Sequence, residues 1–251
     1  MKVPTSTHFY RYSSAQHLDW LKTIILNHQV YFPTINQLND PVEGKPLITE
    51  SSDREIARFL IRMWSSANPT ASLDEVATRV GEVHNAMALY GVDWVRGEMT
   101  ALLHKEFDSA HVFSMSKRWD NMGMWAKYAD NHKGYCLEFA NEGLFKAARE
   151  VEYGDTIQVD VTSPADVSVK FLFQKTRDWI TEEEVRLYSP TTCPSEISFD
   201  PVLLTRIILG RNMSADDATS IRSWAATRNP PLKVVEAKWD AMKQQLCIAS
   251  S

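Results

Sequence analysis

The sequence predicts an α+β fold: a mixed β-sheet core of short strands, with a helical insertion at about 51–108, the whole of 1–251 forming a single domain. Two patterns point there. Short segments of period two recur near both ends and in the middle of the chain, whereas from Ser52 to about Ala110 every apolar repeat is helical. A third observation is negative: no repeat, low-complexity tract or linker divides the chain.

"HFYRYSS" reads as the first strand, with Tyr10 and Tyr12 on one side and Phe9 and Arg11 on the other. Ser13 or Ser14 caps the next helix, in which Leu18, Leu21 and Ile25 share a face. "VYFP" is a second strand stopped by Pro33, and "TINQLNDPVEGKP" is a loop centred on Asn39-Asp40-Pro41. In the insertion, Ser52 with Glu55 and Ser72 with Glu75 are capping-box signatures. Ile56, Phe59, Leu60, Met63 and Trp64 form one apolar stripe. "NPTAS" breaks the first of these helices, and Gly91 and Gly97 mark a further bend or break.

"HVFSMS" and "YCLEF" are strands on either side of the aromatic stretch "RWDNMGMWAKYADNHKG". A short helix at "EGLFKAARE", a strand at "VEYG" and a helix at "SPADVSVKFLFQK" follow. "WITEEEVRLYS" reads as a strand with Val185 and Leu187 on one face and Glu182, Glu184 and Arg186 on the other. The end is strand "TRIILG", a helix capped by Ser214, the turn "NPP" and strand "LKVVEAKW".

Composition excludes some classes of function. Lys+Arg 27 against Asp+Glu 32 gives a formal charge of −5, so bulk electrostatic binding to nucleic acid is not supported. The seven histidines have no ligand spacing and the cysteines Cys136, Cys193 and Cys247 form no C-x-x-C pair, so no metal is expected. Phosphate-cradling glycine motifs and a G-x-S-x-G elbow are absent. "MKVPTSTHFY" lacks the apolar run of a secretory signal, no stretch is long enough to span a bilayer, and three scattered cysteines fit a reducing compartment. The expectation is a cytoplasmic protein with no membrane partner.

Charged side chains in a row on "EEEVR" have two readings: a solvated strand face of weakly attracting charges, or a catalytic acid with its supporting charges. Ser114 and Ser116 share a face of their strand and can stand against those carboxylates. Trp125 and Tyr128 are three apart on a helix, Trp125 in the core and Tyr128 with its hydroxyl at a pocket rim. Asn39, Asp40 and Glu43 serve either as turn chemistry or as polar groups lining a cleft.

The combination of N-D-P-x-E at 39–43, W-x-x-Y-A with a downstream G-x-C-x-E-F at 125–139, and W-x-x-E-x-E-x-R at 179–186 resembles the bacterial and phage-associated domain of unknown function 2971. That family name implies no activity. A more distant resemblance is to ADP-ribosyltransferases of the arginine-serine-glutamate class. Arg11, Ser114-Met115-Ser116 and Glu182-Glu183-Glu184 follow in the chain order of that class, with a helix after the first strand.

The resemblance implies an ADP-ribosyltransferase-like sheet and NAD as substrate. It implies transfer of ADP-ribose to an acceptor it does not name, protein or nucleic acid, in phage defence or as a toxin. Glu184 would stabilise the oxocarbenium-like state as the nicotinamide–ribose bond breaks. Ser114 would orient it, and Glu182 would act toward the acceptor. Arg11 would hold the diphosphate, with Tyr12, Ser116, Tyr128, Asn39 and Asp40 lining the nucleotide site. Arg11, Ser114 and Glu184 are expected in one cleft. Two other readings stay open: a non-catalytic ligand- or protein-binding regulatory module, and a carboxylate hydrolase using Asp40, Glu43, Glu182 or Glu184.

Overall fold

The computed structural model describes residues 1–40, 42–48, 52–108, 110–159, 169–190 and 193–248. They group into two compact units, each built from separate stretches of chain. One comprises Met1–Pro33, His111–Val151 and Asp178–Ser251, and the other Thr34–Ala110 and Glu152–Arg177. The fold is α+β.

The first unit carries an eight-stranded mixed sheet in the order β14-β13-β12-β5-β1-β4-β10-β6. Its strands are β1 (His8–Ser13), β4 (His111–Ser116), β5 (Tyr135–Ala140), β6 (Arg149–Glu150), β10 (Glu184–Ser189), β12 (Leu204–Leu209), β13 (Lys233–Asp240) and β14 (Gln245–Ile248). Neighbours run antiparallel except β12 and β13, which are parallel. The connection between that parallel pair contains the helix α6 (Ala215–Thr227), as parallel strands require a crossover.

Alternation along the strands decides the two faces. Phe9, Phe113, Met115, Leu137, Phe139, Val185, Leu187 and Ile207 bury on one side with Leu21 and Ile25 of α1 (Leu18–Asn27) and Ile221 and Ala225 of α6. On the other side Tyr12, Cys136, Ile208 and Val235 pack with Trp125 of α5 (Met122–Tyr128) and with Ala129, which caps its C-terminus. Each large apolar side chain removed from water in these layers contributes about 1.5–3 kcal/mol. A separate two-stranded pair joins β2 (Gln29–Tyr31) to β11 (Glu196–Ser198).

The second unit contains α2 (Asp53–Ala67), α3 (Leu73–Tyr90) and α4 (Val92–Phe107). Both predicted capping boxes form: the Ser52 amide donates to Glu55 at 2.7 Å and the Ser72 amide to Glu75 at 2.7 Å. Gly91, at φ 83°, separates α3 from α4, whereas Gly97 lies within α4 and breaks nothing. The unit also holds two short parallel pairs, β3 (Leu47–Ile48) with β8 (Gln158–Val159) and β7 (Glu152–Gly154) with β9 (Gln174–Thr176).

Two local expectations need correction. Of the helix expected at "SPADVSVKFLFQK", residues 163–168 lie outside the described residues. The remainder is a 3-10 turn, Lys170–Phe173, followed by β9, whose pairing with β7 draws the chain into extended form. "WITEEEVRLYS" is not one strand either. Arg177–Glu182 is a 3-10 helix, Glu183 is left-handed at φ 46°, and β10 begins only at Glu184.

Candidate functional site

The turn before β10 is fixed by the end of β4. Ser116 Oγ donates to the Glu182 carbonyl at 2.8 Å and accepts from the Arg118 amide at 3.1 Å. The Lys117 amide donates to the Glu183 carbonyl at 3.0 Å, and Asn121 Nδ2 donates to the Thr181 carbonyl. A non-glycine residue held at positive φ costs about 1–2 kcal/mol, and these bonds hold Glu183 there. As a result Glu182 does not continue the strand face of Glu184.

The two carboxylates have different partners. Glu184 receives both Nε and Nη2 of Arg186, at 2.6 and 2.9 Å, with both side chains almost fully buried. Glu182, equally buried, accepts from the Tyr128 hydroxyl at 2.9 Å and from Lys127 Nζ at 3.3 Å. The Lys127 ammonium also lies over the Trp179 ring, 3.8 Å from its centroid. The solvated-face reading of "EEEVR" is therefore incorrect. β10 is an interior strand between β4 and β6, and Glu184 and Arg186 are shielded from water.

Strand register sets the rest of that face. Glu184 stands opposite Ser116, Ser116 opposite Tyr10, Tyr10 opposite Glu138, and Glu138 opposite Arg206. One polar row thus crosses five strands. Glu138 is buried and bound by Arg206 and by Thr205 Oγ1, the latter at 2.7 Å. Burial alone would raise its carboxyl, but the hydrogen bonds from Arg206 and Thr205 and the charge of Arg206 hold it below the ordinary value. Burial, then the Glu138 charge and hydrogen bond, push Tyr10 up to about 12.

Arg11 is not brought to this face. Because Tyr10 shares the face of Ser116, Arg11 projects to the other, where its guanidinium lies 4.8 Å from the Phe113 ring centroid. Its Nη1 donates to the Ser114 carbonyl at 2.7 Å, bridging β1 and β4 where their ladder holds a single paired position, Tyr10 with Ser116. Burial lowers its pKa, while Tyr135, Glu184 and Tyr128 act in the opposite sense, so its charge is felt by both Glu184 and Tyr128. Ser114 stands opposite Arg186, and it is Ser116 that stands opposite Glu184.

Tyr12 is buried edge-on to Trp125, and its hydroxyl donates to the Arg118 carbonyl at 2.7 Å. Asn39 and Asp40 belong to the second unit. Asn39 is exposed, whereas Asp40 is buried with Oδ1 accepting from the Val42 amide at 3.1 Å. The sequence reading missed Lys127, Trp179, Tyr10, Glu138 and Arg206. The signal for Glu138 was present, as a lone acid within the apolar run "YCLEF" that needs a partner when buried.

Among the described residues no group of three or more His, Cys, Asp or Glu side chains is arranged to hold a metal ion. Among the same residues no helix is long and apolar enough to cross a membrane. The polar face offers carboxylates, hydroxyls and cations at fixed positions, a set suited to binding a polar ligand or stabilising a developing positive charge. No curated protein and no solved structure matches the chain. Residues 124–187, which include Lys127, Tyr128, Glu138, Glu182, Glu184 and Arg186 but not Arg11, Ser114 or Ser116, match the family model described as protein of unknown function, DUF2971.

Proposed function

We propose that the protein is an NAD-dependent ADP-ribosyltransferase that cleaves the nicotinamide–ribose bond and passes ADP-ribose to an acceptor. The observation that supports this reading is that the arginine, Ser-x-Ser and Glu-x-Glu elements, far apart in sequence, lie on or at the start of three neighbouring strands, with Glu184 directly opposite Ser116. In this reading Glu184 balances the oxocarbenium-like charge that develops on the ribose as nicotinamide leaves with the bonding electron pair. Glu182, with the Tyr128 hydroxyl on its carboxylate, takes the proton from the acceptor. Arg11 ties β1 to the strand of Ser114 and adds a cation whose field reaches Glu184. Phage defence or a toxin is the setting that goes with it.

The Glu184–Arg186 pair favours a second reading. A carboxylate already neutralised by a buried bidentate guanidinium also suits a non-catalytic module that keeps the face for ligand binding. Nicotinamide release from NAD by the purified chain, with protein and nucleic-acid acceptors supplied, separates the two. Release that depends on Glu184 supports the transferase, and saturable NAD binding without release supports the module.

A further inference from the structure

Arg228, at the end of α6, is only 5% exposed, yet its guanidinium has one neutral acceptor, the Leu204 carbonyl at 3.1 Å from Nη1. Among the described residues its Nε is buried without a hydrogen-bond partner and no carboxylate reaches ion-pair distance. Buried cations ordinarily have an anion in contact, because a neutral carbonyl does not offset lost hydration of the charge.

A second buried nitrogen without a partner lies at the other end of the same turn. His28 ends α1 in the left-handed conformation, φ 56°, and its Nδ1 is also buried and unpartnered. The same turn joins the two residues. The Phe199 amide donates to the His28 carbonyl at 2.9 Å, and the turn ends at Leu204, whose carbonyl holds Arg228. Burial and then the Arg228 charge suppress protonation of His28, with Asp200 opposing, so the three groups sense one another. Asp200 is exposed and caps the turn through the Val202 amide at 3.1 Å, which leaves its charge to solvent screening.

We propose that Arg228 and His28, around the turn Phe199–Leu204, form a binding site for a small oxyanion, a phosphate or carboxylate group of a ligand. A guanidinium whose Nε lacks a protein acceptor is suited to oxygens of either kind. Phe199, Leu203 and Ala225 belong to the core on the α1 and α6 side of the sheet, away from the face of Glu184, so the site stands independently of NAD chemistry.

The test is the thermal midpoint of the full chain in sodium phosphate, with sodium acetate as the carboxylate arm and sodium chloride at equal ionic strength as reference. Wild type should gain roughly 3 °C in phosphate at about ten times its dissociation constant. Arg228→Gln should abolish the gain and His28→Asn should weaken it. Asn tolerates the left-handed position, so His28→Asn decides the matter if Arg228→Gln does not fold. A gain in acetate as well marks a site that accepts carboxylates, and a gain in phosphate alone marks a phosphate site. Wild type showing no gain over chloride in either salt, or His28→Asn showing an undiminished one, overturns the proposal.

Discussion

Glu184 and Arg186, two residues apart on β10, close a bidentate ion pair at 2.6 and 2.9 Å in the interior of the protein. Removing one member takes the bidentate partner from the other's buried charge, which typically costs about 3–5 kcal/mol. Arg186→Met should lose roughly that much in urea unfolding. Glu184→Leu/Arg186→Met should recover most of it, because both charges leave together. A double variant no more stable than the single one contradicts this account of the pair.

Glu183 is the hinge between the 3-10 turn and β10, at φ 46°. Glu183→Gly should stay within about 1 kcal/mol of wild type, since glycine adopts this conformation freely while gaining entropy when unfolded. Glu183→Val should cost about 2 kcal/mol, because a β-branched side chain clashes there. Equal stabilities for the two variants would show that the turn relaxes to another conformation.

Much of the fold was legible in the sequence and this hinge was not. "HFYRYS" and "EVRLYS" announce strands because one face of each buries in the α1 and α6 core. The capping boxes announce α2 and α3. Nothing in the alternation of "TEEEVR" marks Glu183 as left-handed, since bonds from Ser116, Lys117 and Asn121, distant in sequence, impose it. Burial of Arg186 was equally hidden: it follows from β6 and β4 flanking β10. The strands β3 and β8, of two residues each, are too short to show a period.

Gly134 and Gly210 allow three backbone segments to meet. A Cβ on Gly134 would lie 2.1 Å from the Ser13 carbonyl oxygen, and one on Gly210 would lie 2.1 Å from that of His132. Backbone cannot yield as a side chain can, so Gly134→Ala and Gly210→Ala should each cost about 3 kcal/mol or more. Circular dichroism melts of the two variants check this, and wild-type midpoints would refute the close approach.

Tyr10 and Tyr135 are both pushed up to about 12, Tyr10 by burial and Glu138 and Tyr135 by burial. A phenol whose folded pKa exceeds the ordinary value of 10.0 stabilises the fold below that pH and loses the contribution as pH climbs through the folded value. Stability should therefore fall between about pH 10 and 12, and Tyr10→Phe should flatten that fall. Unfolding midpoints across the range, read beside phenolate absorbance, supply the test. A slope unchanged by Tyr10→Phe would separate Tyr10 from the effect.

In the proposed transferase reaction, Glu184 serves the cleavage of NAD. Nicotinamide released from labelled NAD, per mole of folded protein, tests it most directly in wild type and Glu184→Gln, with the folded fraction measured in the same samples. Wild type should release nicotinamide in the presence of an acceptor. Glu184→Gln should lower that rate at least about a hundredfold while NAD binding changes little, the pattern of an interaction made mainly in the transition state. No release by folded wild type with protein, nucleic-acid and small-molecule acceptors all supplied, or an equal rate in folded Glu184→Gln, contradicts it.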